Sequence, residues 1–239
     1  MNKLVLVIAI IWLPVGPIFA NILFQEDIHT VLMNPTLHDE TGKEHRLHDV
    51  VASQPGLSLL LPMFSKCKTI CPLLMQQAKK VVKARPDLKG SYQVIVLSFA
   101  SEDKPETLKA FRQYQSLPSD WKLLKVSRPE HDFFKQLKYP IMQLEGGEYS
   151  HQGILYALGA ETNLLASIPS QSFDPYDLNI LTRFYKLLSY SPRLTLLLHK
   201  LLHPENIAIY GFFVLLVCMV IIFVALISMG YKKKEAITT

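Results

Sequence analysis

Cysteine is scarce in this chain: its 239 residues include only Cys67, Cys71 and Cys218. So few cannot form the disulfide framework of a small secreted scaffold, and a domain of this size buries an adequate core without one. The excess of positive over negative charge is also small: the net charge is +5, and part of it lies in Lys3 and the lysines at 232–234. There is no basic stripe interleaved with aromatic residues, no internal repeat and no low-complexity segment. The composition therefore argues against a nucleic-acid partner.

Charged residues are nearly missing from one stretch at each end of the chain. Residues 1–20 carry one positive side chain, Lys3, before an apolar run, the pattern of a signal peptide or an uncleaved N-terminal anchor. Residues 207–230 are uncharged and long enough for a transmembrane helix across a bilayer core of about 30 Å. Three lysines follow directly, so the tail at 231–239 is predicted to be cytoplasmic.

One globular domain, at 21–190, is predicted between these ends. It lies on the outer side of the membrane whether or not the N-terminal segment is cleaved. Residues 191–206 are amphipathic and lead directly into the apolar span, so they are expected at the membrane interface. Cys218 falls within the span and is expected to pack there as a small apolar side chain. Cys67 and Cys71 are then the only thiols of the outer domain.

These two cysteines lie between a predicted strand and a predicted helix. Residues 58–64 form an apolar run too short for a buried helix, and Pro72 is expected to open the helix that follows. In such a turn the helix dipole and the lysines on either side of Cys67 favour thiolates. A close pair in an oxidising compartment can form a structural disulfide, act in redox exchange or bind a soft metal ion. All three alternatives remain open at this point.

Strands and helices alternate through the rest of the domain, which predicts a mixed α/β fold. Further strands are expected at 93–99, 121–126 and 164–168, helices at 105–114, 130–137 and 175–190, and hairpins at 36–47 and 142–158. Asp103 is the expected N-cap of the helix at 105–114, and Glu106 would complete a capping box.

Histidines elsewhere in the chain are interpreted as polar residues rather than ligands. His38, His45 and His48 fall on or beside the first hairpin, with no spacing that fixes a metal geometry. His199 and His203 are four apart on one predicted helix face, a spacing that could bind metal. No further ligand is near them in sequence, so interfacial polar residues are the favoured interpretation.

Three segments of the outer domain resemble the SCO/SenC family in order and spacing. They are FSKCKTICPLL from Phe64, FASEDKPETL from Phe99 and YSHQGILY from Tyr149, and the likeness extends over about residues 34–187. Ordered motifs are far more specific than a lone pair of cysteines. The resemblance implies a membrane-tethered protein with a thioredoxin-like fold, in which helices flank a central mixed sheet. It also implies delivery of copper to the CuA centre of cytochrome c oxidase.

A ligand set follows from the same resemblance. Family members bind copper through the two cysteines of a C-x3-C motif and one distant histidine, which correspond here to Cys67, Cys71 and His151. Two thiolates and an imidazole form a soft site of low coordination number, which suits Cu(I) and can accept Cu(II). The assignment requires the fold to bring His151 within bonding reach of both sulfurs.

The chain departs from the family pattern around these ligands. The family usually has proline and aspartate between its cysteines, where this chain has Lys68, Thr69 and Ile70. It also has an aspartate at the position of Phe99, whereas Asp103 matches its second acidic position. The most familiar members are anchored at the N-terminus, whereas the strong apolar span of this chain is C-terminal.

The leading hypothesis is a copper chaperone at the outer face of a bacterial inner membrane, with its globular domain in the periplasm. Its recipient would be the cytochrome c oxidase subunit that carries CuA, or another periplasmic cuproprotein. The main alternative is a thiol–disulfide oxidoreductase that keeps a partner's cysteines reduced through Cys67 and Cys71. The C-x3-C spacing and the lack of proline in the loop at His151 disfavour it. A thiol peroxidase is less favoured still, and a sensor or adhesion module with a structural Cys67–Cys71 disulfide is the third alternative.

Overall fold

The structure is a computed structural model that describes residues 31–54, 56–127, 131–144 and 148–190. The predicted signal peptide or anchor, the interfacial segment, the transmembrane helix and the cytoplasmic tail lie outside these residues, as do His199, His203 and Cys218. In the described ranges, no helix has both the length and the apolar character that crossing a bilayer requires.

A seven-stranded mixed sheet forms the centre of the domain. In chain order the strands are β1 (Thr36–Asp39), β2 (Glu44–Arg46), β3 (Leu57–Met63), β4 (Tyr92–Ser98), β5 (Lys122–Val126), β6 (Ile141–Gln143), β7 (Tyr149–His151), β8 (Ile154–Leu158) and β9 (Leu164–Pro169). The sheet order is β2-β1-β5-β4-β3-β8-β9, and β6 and β7 form a separate antiparallel pair. Strands β3, β4 and β5 run parallel to one another. The other pairings in this sheet are antiparallel. The predicted thioredoxin-like, mixed α/β architecture is therefore the observed one.

Strand β3 lies in the middle of the core and leads directly into the turn at residues 64–69, called the cysteine turn below. It pairs with β4 on one side and with β8 on the other, and all seven of its residues are buried. A strand covered on both faces is expected to be continuously apolar rather than alternating, which explains the run of leucines from Leu59 to Leu61.

In the described residues five α-helices accompany the strands: α1 (Leu47–Ala52), α2 (Ile70–Ala84), α3 (Pro105–Tyr114), α4 (His131–Gln136) and α5 (Pro175–Tyr190). Helix α2 buries one stripe that includes Leu74, Ala78 and Val81. The prediction that α2 opens at Pro72 is wrong, because the helix begins two residues earlier. Cys71 therefore lies inside the first turn of the helix and not in the turn before it.

Two further predictions differ from the structure. The segment expected to form one hairpin contributes to two sheets, because β7 ends at His151 and β8 starts afresh at Ile154 in the main sheet. Gly153 lies in the break, where a Cβ atom would come within 2.7 Å of the hydroxyl of Ser170. The expected capping role of Asp103 is also wrong. Lys104 is the N-cap residue of α3, and its backbone N–H donates to the hydroxyl of Thr107 at 2.9 Å.

Candidate metal centre

Both thiols are buried at the start of α2. Cys67 is 6% exposed and Cys71 is fully buried, and both are free thiols. The backbone N–H of Cys71 donates to the sulfur of Cys67 at 3.3 Å. An N–H in the first turn of a helix has no partner within the helix, so it is available to stabilise a negative sulfur.

His151 meets the two sulfurs from the end of β7. Its Nε2 atom lies 3.4 Å from the sulfur of Cys67 and 3.5 Å from that of Cys71. The three donor atoms all lie within 4.8 Å of one another. Over the described part of the chain, no other set of three His, Cys, Asp or Glu side chains is grouped in this way. The structure thus brings together the three residues that the sequence singled out.

Tyr139 and the carbonyl of Gln152 hold the other side of the imidazole. The Nδ1 atom of His151 lies 2.7 Å from the hydroxyl of Tyr139 and 3.1 Å from the carbonyl oxygen of Gln152. The Tyr139 hydroxyl donates its own proton to that carbonyl at 2.8 Å. Both atoms facing Nδ1 are then acceptors, so we assign a proton to Nδ1. With Nδ1 protonated, Nε2 is the nitrogen whose lone pair a metal ion would use, and it lies on the side of the sulfurs.

The protonated state of Tyr139 is secured by its surroundings. Burial raises the pKa of Tyr139 far above its usual range, and the neighbouring Cys71 acts in the same direction. The ring packs against Phe99, Phe134 and Tyr156 with centroid separations of 5.9 to 6.1 Å. A tyrosine fixed in this way holds the imidazole in one orientation and one tautomer.

An aromatic wall, formed by Phe64, Phe99 and Tyr149, lies beside the donor cluster. The ring centroids of Phe64 and Phe99 are 5.6 and 5.4 Å from that of His151. Tyr149 packs edge-on against both phenylalanines, at 5.2 and 5.5 Å. Contacts of this geometry are favourable for aromatic rings, so the wall helps to hold the imidazole in place.

Asp103 connects the cysteine turn to the end of β4. Its carboxylate accepts hydrogen bonds from the backbone N–H of Ser65 at 3.0 Å, from the hydroxyl of Ser98 at 2.5 Å and from the hydroxyl of Ser65. The side chain is only 1% exposed. Charge-assisted hydrogen bonds in a buried site are among the stronger polar contacts, so Asp103 fixes the start of the cysteine turn.

The two thiols have opposite acidities. Hydrogen bonds with Cys71, with His151 and with the backbone amides of Cys71 and Thr69 lower the pKa of Cys67 to about 3, although burial opposes this change. Burial, followed by the hydrogen bond with Cys67 and its charge, raises the pKa of Cys71. Near neutral pH the pair is therefore one thiolate and one thiol. Sequence analysis attributes the thiolate partly to Lys66 and Lys68. Both lysines are exposed, and the contacts that lower the pKa of Cys67 are hydrogen bonds.

The histidines near the first hairpin have partners of their own. His45 contacts the carboxylate of Asp39 at 2.8 Å, and His38 contacts the hydroxyl of Ser127 at 3.0 Å. The side chain of His48 is exposed. Sequence reasoning missed the contribution of Tyr139, because no motif or spacing connects it with His151.

Comparison by sequence gives no match: no protein-family model fits the chain, and none of the curated proteins matches it.

Comparison by structure gives many matches. An SCO1/SenC family lipoprotein from Bacillus anthracis is 24% identical, with a TM-score of 0.58, covering 70% of this chain and 99% of that one. BsSco, described as a member of the Sco family of cytochrome c oxidase assembly proteins with a disulfide switch, is 22% identical at a TM-score of 0.57, covering 69% and 98%. Copper-bound ScoI from Arabidopsis thaliana is 15% identical at a TM-score of 0.55, covering 66% and 99%. The resemblance predicted from the sequence is thus confirmed at the level of the fold: this chain has the thioredoxin-like fold of the SCO1/SenC family structures.

Proposed function

We propose that the chain is a copper-binding protein of the SCO/SenC type, with Cys67, Cys71 and His151 as its ligands. The observation that carries the proposal is the convergence of two sulfurs and one Nε2 atom, all within 4.8 Å of one another. Sulfur donors select soft metal ions, and imidazole is also a common copper ligand. Solved structures of the same fold that hold copper support the choice of metal.

The donor set suits an ion that is carried as cargo and then released. Cys67 is already a thiolate at neutral pH, so of the two cysteines only Cys71 has to lose a proton on binding. Because the site supplies three ligands, the metal can accept a further ligand from a recipient protein before this chain releases it. His151 is held by Tyr139 at the end of a short two-stranded sheet, which allows it to meet the metal without rearranging the core.

Delivery to the CuA-bearing subunit of cytochrome c oxidase, or to another periplasmic cuproprotein, is the role we favour. BsSco and its family are described as cytochrome c oxidase assembly proteins, and they share this fold. The sequence supports a tether in a bacterial inner membrane, with residues 207–230 as the span, 231–239 in the cytoplasm and the globular domain in the periplasm. The Bacillus anthracis structure is itself described as a lipoprotein.

A copper titration tests the proposal. Full-length protein in detergent is reduced without oxygen and titrated with Cu(I) in competition with a chromophoric chelator. One copper per chain is expected for the parent, with a marked loss of affinity in His151→Ala. His48→Ala, which removes an exposed histidine, is the matched control and should bind like the parent. Equal affinity in all three proteins would contradict the proposed ligand set.

Thiol–disulfide exchange is the second candidate, and the acidity of Cys67 is the observation that favours it. A thiolate next to a second thiol can attack a disulfide, and the second thiol can then resolve the mixed disulfide. This function predicts rapid reduction of a disulfide peptide by the parent and by His151→Ala alike. The copper function predicts that His151→Ala affects metal binding far more than this reduction.

A further inference from the structure

The β4–α3 loop, residues 99–104, is fastened to the cysteine half of the metal centre. The carboxylate of Asp103 accepts from the backbone N–H and the hydroxyl of Ser65, which lies two residues before Cys67. The side-chain amine of Lys125, in β5, donates to the carbonyl oxygen of Asp103 at 2.5 Å. The loop is therefore fixed both to the main sheet and to the cysteine turn.

The histidine half of the metal centre belongs to a different element. In the described residues β6 and β7 pair only with each other, and His151 is the last residue of β7. Tyr149 lies two positions before His151 in the same strand, so the two side chains are on one face. Their rings agree with this, because each packs against both Phe64 and Phe99. A contact made by Tyr149 therefore restrains the face of the strand that carries the ligand.

Glu102 makes such a contact from the β4–α3 loop. The hydroxyl of Tyr149 donates to a carboxylate oxygen of Glu102 at 3.0 Å. Burial raises the pKa of Tyr149, and the hydrogen bond with Glu102 acts in the same direction, so the hydroxyl keeps its proton and remains the donor. Hydrogen bonds to an ionised acceptor are stronger than those between neutral groups. The adjacent residues Glu102 and Asp103 thus hold the strand of His151 and the cysteine turn, respectively.

We infer that Glu102 is a positioning residue for the copper ligand His151, acting through Tyr149, and that the β4–α3 loop joins the two halves of the metal centre. The inference rests on the proposed function and concerns how firmly the cargo is held. A ligand that is already held in its bound position loses less freedom when the metal binds. Copper should accordingly leave the site more slowly while the hydrogen bond between Glu102 and Tyr149 is intact.

The negative charge of Glu102 is a second route by which this residue could affect a bound cation. Glu102→Gln separates the two effects, because an amide oxygen still accepts a hydrogen bond but carries no charge. Glu106→Ala is the matched control for loss of charge alone. Glu106 is an exposed carboxylate in the first turn of α3, four positions further along the chain.

The test is the rate at which an excess of a chromophoric chelator removes Cu(I) from full-length protein in detergent, followed by stopped-flow absorbance without oxygen. Glu102→Ala and Tyr149→Phe each remove one partner of the hydrogen bond and should accelerate removal by about 2- to 10-fold. The double variant should be no faster than either single variant, because the two residues act as a unit. Glu102→Gln and Glu106→Ala should release copper at nearly the rate of the parent.

His151→Ala provides the readout that a merely structural role would not affect. In that background Glu102→Ala should leave the rate of removal unchanged, because the ligand that Glu102 positions is gone. The inference is overturned if Glu102→Ala releases copper at the parental rate, or accelerates release equally with and without His151. It is also overturned if Glu102→Gln matches Glu102→Ala, since charge would then be the cause.

Folding of each variant is checked by circular dichroism. Tyr149→Phe keeps the ring that packs against Phe64 and Phe99, so its rate decides alone if Glu102→Ala does not fold. A parent that binds no Cu(I), or that binds it as tightly without His151, overturns the proposed function instead. The two failures therefore remain distinguishable.

Discussion

The hydroxyl of Tyr139 lies 2.7 Å from Nδ1 of His151 and donates to the carbonyl of Gln152 at 2.8 Å. This arrangement assigns the Nδ1 proton and leaves Nε2 to face Cys67 and Cys71. Partners of this kind orient metal-binding histidines and increase their basicity. Tyr139 is thus a positioning residue: its hydroxyl hydrogen-bonds His151 and Gln152 rather than Cys67 or Cys71, and it sets the direction of the third ligand.

Tyr139→Phe should lower copper affinity by about 10- to 100-fold while it leaves the ring packing in place. The hydroxyl is the only group removed, so Nδ1 keeps only the carbonyl of Gln152 at 3.1 Å. Competition with a chromophoric Cu(I) chelator measures the effect.

Tyr156→Phe is the matched control for that change. Tyr156 is equally buried, its ring centroid is 6.1 Å from that of Tyr139, and its hydroxyl has no hydrogen-bond partner among the described residues. Its removal should leave copper affinity unchanged and should not destabilise the fold. Equal losses of affinity in the two variants would mean that packing, not the hydrogen bond to His151, is responsible.

Cys67 should react as a thiolate across the range in which ordinary thiols are protonated. Its pKa of about 3 lies below the folded-state range of ordinary cysteines, so the rate of alkylation by iodoacetamide should be nearly constant from about pH 5 to 8. Cys71→Ala removes the main hydrogen bond and should move the titration of Cys67 to higher pH. Mass spectrometry of the Cys67 peptide distinguishes it from the other cysteines. A midpoint near 8.5 in the parent would contradict the described hydrogen bonding.

Asp103→Ala should lower the free energy of unfolding by about 1–3 kcal/mol, because it leaves the buried hydroxyl of Ser98 and the N–H of Ser65 without their acceptor. Asp132→Ala is the control: that carboxylate is 75% exposed and its contact with Lys135 is 3.4 Å long, so the change should have almost no effect. Urea unfolding measures both. Similar losses in the two variants would show that Asp103 does not fix the cysteine turn.

The Asp39–His45 pair predicts how stability depends on pH at the far edge of the sheet. Burial raises the pKa of Asp39, but hydrogen bonds from Thr41, His45 and the Lys43 amide outweigh it and hold the pKa well below its usual 3.8. A carboxyl with a lowered folded-state pKa stabilises the protein above its unfolded-state pKa, and this contribution is lost as the pH falls below about 4. The parent should therefore exceed Asp39→Asn in stability at pH 7, by a margin that shrinks on acidification. Urea unfolding at several pH values checks this, and a margin that grows on acidification would contradict it.

Features with a strong local pattern could be predicted from the sequence. The apolar runs of β3 and β4 and the proline-led helices α3 and α5 were predicted to within one or two residues. Cys67, Cys71 and His151 could be identified because the motifs that contain them occur in the same order and spacing as in the SCO/SenC family.

Other features depend on packing between distant segments. Helix α1 is six residues long, too short to show a periodic pattern. Asp103 resembled a helix cap, but the buried hydroxyls of Ser65 and Ser98 provide better partners than exposed backbone amides. Tyr139 precedes β6 and His151 ends β7, and the two meet because these strands pair and both rings pack against Phe99. No periodicity or spacing encodes such a contact.

X-ray absorption of the Cu(I)-loaded protein tests the central claim most directly, since it counts the atoms bound to the metal. Two sulfur neighbours and one imidazole nitrogen are predicted for the parent, with the nitrogen lost in His151→Ala and retained in His48→Ala. A spectrum with sulfur neighbours alone in the parent, or one that His151→Ala leaves unchanged, would contradict the account.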